Sequence, residues 1–330
     1  MLKQRKTVLQ KPKLSAASKR QISKHRKEVQ SILSGKDKRF LVIIGPCSAW
    51  SYDATVKYAK KLAELQANLQ DKIKLVMRVY TQKPRTTKGW RGILSEPDPC
   101  GKPNIKLGVK KAQQLMQEVT QTGLAIADEA LFVPATVYLE DYFSFAAIGA
   151  RSAEDQEHRS FAATRPYAVG IKNPTSGDIK LAVNALVSAS SSNSFYAEGV
   201  EYISSGNSFA HLILRGGKKP NYKAKDIKLA LSEMQKVGLD NTKVIIDCNH
   251  ANSNKNYLKQ IDIAKYVVKL KNKDKELGRA IAGLMIESFL EDGNQAINCK
   301  KGMKEGLSIT DASLGWSKTE ELLMWIYKQL

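Results

Sequence analysis

The sequence predicts an α/β fold, a (β/α)8 TIM barrel with an N-terminal extension and an inserted β-hairpin, and three observations predict it. Eight short apolar runs recur along the chain: 40–44 before Cys47, 75–77 before Arg78, 124–127 before Glu129, 145–150 before Arg151, 167–171 before Lys172, 211–214 before Arg215, 244–246 before Cys248 and His250, and 281–286 before Glu287. Each run is short, rich in Val, Ile and Leu, and separated from the next by a longer stretch with helical spacing, as expected of parallel strands buried on both faces. Each also ends in a polar side chain fit for chemistry. In such barrels the reactive groups sit at the C-terminal ends of the strands, so residues from opposite ends of the chain converge on one mouth.

Residues 1–38 form a polar, basic extension with a helix expected over 15–33, ending near Gly35. Lying outside the barrel repeat, it is expected to pack against a partner subunit or to stay disordered. The catalytic barrel is expected over 39–330, with helices at 54–69, 107–122, 135–143, 177–189, 224–237, 260–270 and 319–330. The stretch 193–206 alternates aromatic and small polar residues around Gly199, which reads as a β-hairpin inserted before the sixth barrel strand and suited to assembly or regulation.

With 330 residues, 42% of them hydrophobic, the chain can bury a barrel core as one domain. No apolar stretch approaches a membrane span and the N-terminus lacks a signal-peptide core, so a cytoplasmic location is expected, with no membrane partner. The four cysteines do not read as a disulfide framework in a chain this long; they are expected to be reduced, Cys100 and Cys299 as ordinary loop cysteines. The net charge of +21 invites a nucleic-acid reading. The lysines, however, are spread over 1–39, 218–228, 255–275 and 300–304 with few aromatics among them, so no nucleic-acid partner is expected. A mouth rich in cations would instead attract multiply charged phosphate esters.

The cationic endings support that view. Lys83-Pro84-Arg85-Thr86-Thr87 sets two cations and two hydroxyls around a proline, just after Arg78 and Tyr80; without those neighbours it would read equally well as a solvated basic turn. Arg215-Gly216-Gly217 lets the backbone approach an anion while the guanidinium forks its oxygens. Arg151 and Lys172 follow runs too apolar for a surface site, and a cation left there needs an anion such as a phosphorylated carboxylate. Cys47, His250, Glu287 and Asp311 offer a thiolate, an imidazole and two carboxylates, a set that suits Mn²⁺, Fe²⁺, Co²⁺ or Zn²⁺ better than Mg²⁺ or Ca²⁺. Taken singly, His250 reads as a structural histidine and Cys47 as a buried core thiol.

Gly45-Pro46-Cys47-Ser48, 77–87 (MRVYTQKPRTT), 147–151 with Gln156, His158 and Arg159 following, 213–222 (ILRGGKKPNY), 247–255 (DCNHANSNK), 285–295 (MIESFLEDGNQ) and 308–316 (SITDASLGW) together resemble the type I 3-deoxy-D-arabino-heptulosonate 7-phosphate (DAHP) synthases, in their longer, feedback-regulated branch. The match runs in the family order from about Phe40 to the C-terminus. It implies a transferase, 3-deoxy-7-phosphoheptulonate synthase, that condenses phosphoenolpyruvate with D-erythrose 4-phosphate and releases phosphate at the entry to the shikimate pathway of aromatic amino-acid biosynthesis. The resemblance carries one divalent metal onto Cys47, His250, Glu287 and Asp311, and phosphoenolpyruvate onto Arg78, Lys83, Glu129, Arg151, Lys172 and Arg215. The phosphate of erythrose 4-phosphate falls on Arg85 and Thr86. Lys83, Asp311 and His250 form the catalytic set, with Lys83 a candidate to protonate the nascent alkoxide and Asp311 or a water on the metal as alternatives. A homodimer or homotetramer is expected.

The chain departs from the family at Ala49-Trp50-Ser51 and Gln82, none of them ligands, and at Thr136-Val137, Pro166 and a short hairpin where aromatic inhibitors bind. Feedback inhibition by phenylalanine or tyrosine is therefore expected to be weak or altered. Two rivals are 3-deoxy-D-manno-octulosonate 8-phosphate synthase, whose loop reads Lys-Ala-Asn-Arg where this chain has Lys83-Pro84-Arg85-Thr86, and a non-catalytic basic binding protein on the same barrel.

Overall fold

A computed structural model describes residues 9–85, 87–197 and 200–330. Its strands are β1 (Phe40–Gly45), β2 (Ile73–Arg78), β3 (Ala125–Ala130), β4 (Phe143–Ile148), β5 (Ala168–Lys172), β6 (Asn193–Ala197), β7 (Val200–Ser204), β8 (His211–Leu214), β9 (Val244–Asp247) and β10 (Ile281–Glu287). All but β6 and β7 form one closed parallel barrel in the order β1-β10-β9-β8-β5-β4-β3-β2, while β6 and β7 pair antiparallel as a separate hairpin. The helices are α1 (Ala16–Leu33), α2 (Tyr52–Leu69), α3 (Ile105–Gln121), α4 (Val133–Thr136), α5 (Gln156–Thr164), α6 (Ile179–Ser190), α7 (Ala224–Lys236), α8 (Lys259–Lys273), α9 (Lys275–Ala280) and α10 (Trp316–Gln329). None of the described helices is long and apolar enough to cross a membrane.

The continuous apolar runs follow from burial on both faces. Leu41, Ile43, Val76, Phe145, Ile213, Ile245 and Met285 meet inside the barrel. Their chain neighbours Val42, Ile44, Leu75, Met77, Leu212, Ile246 and Leu284 pack outward against the helices. Side chains alternate along a strand, so neither face reaches water and no polar alternation is left in the sequence. The inner layer is tight at Gly170, where a Cβ would meet Ile213 Cδ1 at 2.5 Å and Phe145 Cζ at 2.9 Å.

Over α1 the basic extension is an ordered part of the barrel's own packing rather than a disordered arm, one of the two expectations. Val29, Ile32 and Leu33 of α1 are buried in the inner-barrel cluster, closing its N-terminal end, each worth about 1.5–3 kcal/mol of transfer free energy. The polar side of α1 satisfies groups there. Arg26 Nε donates to Phe143 O at 2.7 Å, and Lys74, inward-facing near the start of β2, donates to Glu28 Oε2 at 2.5 Å. Lys74 lies just before the apolar run at 75–77, and Glu28 neutralises its charge in a place reached only by folding. Residues 1–8 lie outside the described set.

The helix expected over 135–143 is not formed. Pro134 starts a single turn, Val133–Thr136, a 3₁₀ turn follows at Glu140–Tyr142, and Phe143 already opens β4, where its ring stacks edge-on against Tyr167 at 5.9 Å. Two short helices, α5 and α9, carried too little periodicity to be read from the sequence. The cysteine expectation is also corrected: Cys100 and Cys299 form a disulfide, while Cys47 and Cys248 are free and buried. The two partners are 199 residues apart and meet only because the barrel closes, so spacing gave no signal.

Candidate active site

The alternation that fills the barrel also builds its mouth. Continuing each inward register by two residues carries Val76 to Arg78, Ala127 to Glu129, Gly170 to Lys172, Ile213 to Arg215, Ile245 to Asp247 and Met285 to Glu287. The apolar core thus gives way to a layer of ionisable groups at the strand ends. Above it lies a cavity of about 290 Å³, lined by Cys47, Arg78, Lys83, Arg85, Glu129, Arg151, Lys172, Arg215, His250 and Asp311 among others. Thr86 falls outside the described residues.

On the anion side, Lys172 Nζ donates to Glu129 Oε2 at 2.7 Å and lies 4.0 Å from Asp247 Oδ2. Burial opposes ionisation of Glu129, but Lys172 and Lys83 hold its pKa down to about 2. Arg78 is fully buried; Nη2 donates to Glu287 Oε1 at 2.9 Å while Nη1 has no partner. A buried donor left unpaired costs about 1–3 kcal/mol, which an anion oxygen in the cavity would recover. Arg85 is exposed and its Nε donates to Trp90 O at 2.8 Å. Two expectations are revised here. Arg151 is exposed at the rim, and Lys172 already has its counter-ion in Glu129, so neither is a stranded buried cation. Among the described lysines and arginines that line the cavity, it is Arg78 that has the buried, unmet donor.

The backbone around Gly216 is also used differently from expectation. With φ +76°, it approaches Ala251 C and Asn252 N so closely that a Cβ would sit 2.7 Å from both. Asn173 Oδ1 accepts from Arg215 N at 2.9 Å, and Asn221 Oδ1 from Gly216 N at 2.7 Å. The glycine thus packs the turn that aims Arg215 against the chain after β9.

The metal-ligand types partly converge. Ligand atoms of Cys47, Glu287 and Asp311 all lie within 4.8 Å of one another. His250 stands beside this group: Nε2 is 3.8 Å from Glu287 Oε1, and Nδ1 is 2.8 Å from Asp247 Oδ2. Its backbone is left-handed (φ 53°), an unusual conformation for a non-glycine residue that turns the ring toward the mouth cluster. Burial, then the Glu287 carboxylate, push the Cys47 thiol above its ordinary pKa, partly offset by Lys83, whose Nζ is 3.1 Å from Cys47 Sγ. Lys83 and His250 hold Asp311 below the usual carboxylate range against the cost of burial. A thiol and two carboxylates so close repel one another once ionised. A divalent cation among them would reverse that and ionise the thiol, so the donor set fits such an ion.

Sequence reading missed the residues that hold these groups. Asn249 Nδ2 donates to Glu287 Oε2 at 2.6 Å and Gln260 Oε1 accepts from Glu287 N at 2.8 Å. Asp128 accepts from Thr81 N at 3.1 Å and Thr81 Oγ1 at 2.7 Å, fixing the start of the segment that bears Lys83. The Tyr80 ring lies 3.9 Å from the Arg78 guanidinium. Polar residues inside the quoted segments, DCNHANSNK above all, were the available signal.

Comparison with known proteins agrees with this geometry. The model of the DAHP synthetase I family matches residues 15–324. The chain is 41% identical over 323 residues to the "Phospho-2-dehydro-3-deoxyheptonate aldolase, Tyr-sensitive" of Salmonella typhimurium, covering 96% of this chain and 90% of that one. The Phe-sensitive enzyme of Escherichia coli K12 is 40% identical over 304 residues, 90% and 85% of the two chains, and the Trp-sensitive one 38% over 307, 92% and 87%. The solved phospho-2-dehydro-3-deoxyheptonate aldolase of Francisella tularensis SCHU S4 superposes with a TM-score of 0.92 at 35% identity, covering 99% of this chain and 98% of that one. With a family model spanning nearly the whole chain, relatives near 40% identity and a shared barrel, this protein belongs to the DAHP synthetase I family.

Proposed function

We propose that this chain condenses phosphoenolpyruvate with D-erythrose 4-phosphate to give DAHP and phosphate, the first step of the shikimate pathway. The observation that carries the reading is one cavity of about 290 Å³ in which Arg78, Lys83, Arg151, Lys172 and Arg215 face Cys47, His250 and Asp311. Two small phosphate esters need that much positive charge, and a volume of that order suits small polar substrates.

In this reading Arg78, Lys172, Arg151 and Arg215 hold the carboxylate and phosphate of phosphoenolpyruvate. The unpartnered Nη1 of Arg78 supplies a donor for them. Arg85, with Thr86 beside it in the chain, holds the phosphate of the aldose. That clamp sets C3 of the enol against the aldehyde carbon, turning a bimolecular encounter into a local one. The C3–C1 bond forms and the aldehyde oxygen takes a proton from the Lys83 ammonium. Water then adds at C2 and returns one proton to Lys83. The bond from C2 to the phosphate oxygen breaks, phosphate leaving with its electrons and taking up the remaining proton of that water as the C2 ketone forms. Burial opposes the charge on Lys83, but Cys47 and Glu287 raise its pKa and keep it a cation, which suits a proton donor. A divalent ion (Mn²⁺, Fe²⁺, Co²⁺ or Zn²⁺) held by Cys47, Glu287 and Asp311 with His250 beside them would supply Lewis acidity toward the aldehyde oxygen.

The reading extends to assembly and control. A homodimer or homotetramer is supported by exposed apolar side chains on the hairpin, Tyr196 at 75% and Ile203 at 81%. A cytoplasmic location accords with substrates that are charged phosphate esters. Feedback by phenylalanine or tyrosine is weak or altered, supported by Val137 and Pro166, which offer a ligand neither a side-chain amide nor a backbone N–H. The relatives are named for sensitivity to three different amino acids at nearly equal identity, so likeness alone selects no effector. The test is kcat/KM with each aldose phosphate: preference for erythrose 4-phosphate supports the reading, and preference for arabinose 5-phosphate would move the chain to the octulosonate reaction.

A further inference from the structure

β1 pairs with β2 on one side and with β10 on the other, so the segments leaving β2 (79–104) and β10 (288–315) meet over the turn after β1 that carries Cys47. Both grip that turn. Ala49 N donates to Tyr80 O at 3.0 Å and Lys83 Nζ to Cys47 O at 2.8 Å from one side. From the other, Ser48 Oγ lies 2.8 Å from Thr310 Oγ1, and Ser51 Oγ donates to Glu305 Oε1 at 3.0 Å. The exposed Cys100 and Cys299 join the outer parts of the two segments through their disulfide.

Nearby hydrogen bonds stay within each segment. Cys100 N and Gly101 N both turn back onto Asp98, Lys300 N and Lys301 N onto Asn298, and Lys304 N onto Gln295. The sulfur–sulfur bond therefore does what those contacts do not: it ties one mouth segment to the other. One bears Lys83 and Arg85, the other Asp311.

We propose that Cys100–Cys299 is a reversible redox site, opened by a dithiol, that sets how firmly these two segments are held over the barrel mouth. A thiolate of the dithiol attacks one exposed sulfur, breaking the S–S bond and forming a mixed disulfide. The second thiolate then displaces the protein sulfur. Two electrons and two protons pass to Cys100 and Cys299, and the dithiol leaves as its own disulfide; a small-molecule disulfide reverses the exchange. Once open, the segments sample the local openings that the cross-link forbids. The consequence for catalysis rests on the function proposed above; the consequence for segment order does not.

The experiment compares the whole wild-type protein, air-oxidised or treated under native conditions with dithiothreitol, with a Cys100→Ser/Cys299→Ser double variant. Alkylation after denaturation should count two thiols, Cys47 and Cys248, before reduction and four after it. Amide exchange over 96–104 and 297–304 should rise about threefold or more in the reduced protein and in the variant alike. KM for erythrose 4-phosphate should rise several-fold with it, and dithiothreitol should leave the variant unchanged. Four free thiols in the oxidised protein, a bond that resists native dithiothreitol, equal exchange in the variant, or an unchanged KM in an active enzyme would each overturn the proposal. Looser segments in a protein with no synthase activity in either state would count against the proposed function and leave the redox site standing.

Discussion

The Lys83 ammonium lies 3.1 Å from the Cys47 sulfur and 2.8 Å from the Cys47 carbonyl oxygen, joining the proposed proton donor to a proposed metal ligand. The contact spans 36 residues of chain and is made at the mouth of the barrel, between the turn after β1 and the segment after β2.

Replacing that ammonium should separate two roles. Lys83→Met is expected to lower kcat by about 10²-fold or more, the usual size of a lost general acid. Divalent-metal affinity should hold or rise, because an ammonium beside a ligand sulfur repels an incoming cation. Initial rates paired with competition against a chelating dye measure both. A tenfold or greater fall in metal affinity with kcat preserved would assign Lys83 to the ligand shell instead.

Among the described residues, the Arg85 guanidinium has its hydrogen-bond partner in Trp90 O, reached through Nε, which leaves its terminal nitrogens to serve an anion. Arg85→Ala should raise KM for erythrose 4-phosphate about tenfold or more, the loss of a charge-assisted hydrogen bond of about 1.5–3 kcal/mol, with little change for phosphoenolpyruvate. An equal rise for both substrates, measured by varying each at saturation of the other, would contradict the assignment.

His211 gives a pH prediction away from the mouth. Burial depresses its pKa from the ordinary 6.5 to about 4, against the small opposing pull of Phe209 O, which lies 2.9 Å from Nδ1. The unfolded chain therefore binds a proton that the folded one refuses. The stability is fully present above about pH 6.5 and lost as pH falls toward 4, a change of about 3 kcal/mol. Denaturant titrations near pH 7 and pH 4 should show the wild type losing about that much more than His211→Phe; equal losses in the two proteins would refute the depressed value.

Inhibition by phenylalanine or tyrosine should be weak. The Thr136 hydroxyl is occupied, accepting from Gln82 Nε2 and donating to Phe132 O, both at 3.0 Å. Val137 and Pro166 add no donor for an amino-acid headgroup, and a charge left unpaired there costs about a hundredfold in affinity. Calorimetric titration with initial rates decides it, and micromolar binding of either amino acid with loss of rate would contradict the expectation.

Most of the barrel was legible because parallel strands buried on both faces leave continuous apolar runs, as at 40–44 and 281–286. The mouth was legible because each run breaks off where the inward register meets an ionisable residue, as from Ile213 to Arg215. What sequence did not carry depends on distance through space. Lys74 lies in a strand because Glu28 of α1 neutralises it, the Cys100–Cys299 bond depends on β10 closing beside β1, and Asn249 reveals itself only by the oxygen of Glu287 it holds. Phe143 fell to β4 rather than to a helix because Pro134 and the ring of Tyr167 decide that stretch, and neither is a matter of periodicity.

The central claim is that this cavity joins the two phosphate esters with the help of a divalent ion held through Cys47. The most direct measurement incubates chelator-stripped and Mn²⁺-reloaded protein, wild type and Cys47→Ala, with phosphoenolpyruvate and erythrose 4-phosphate, and quantifies phosphate and the seven-carbon product together. The account predicts equimolar phosphate and product from reloaded wild type, and neither from stripped protein or the variant. Undiminished product from exhaustively stripped protein, or from Cys47→Ala, would contradict it.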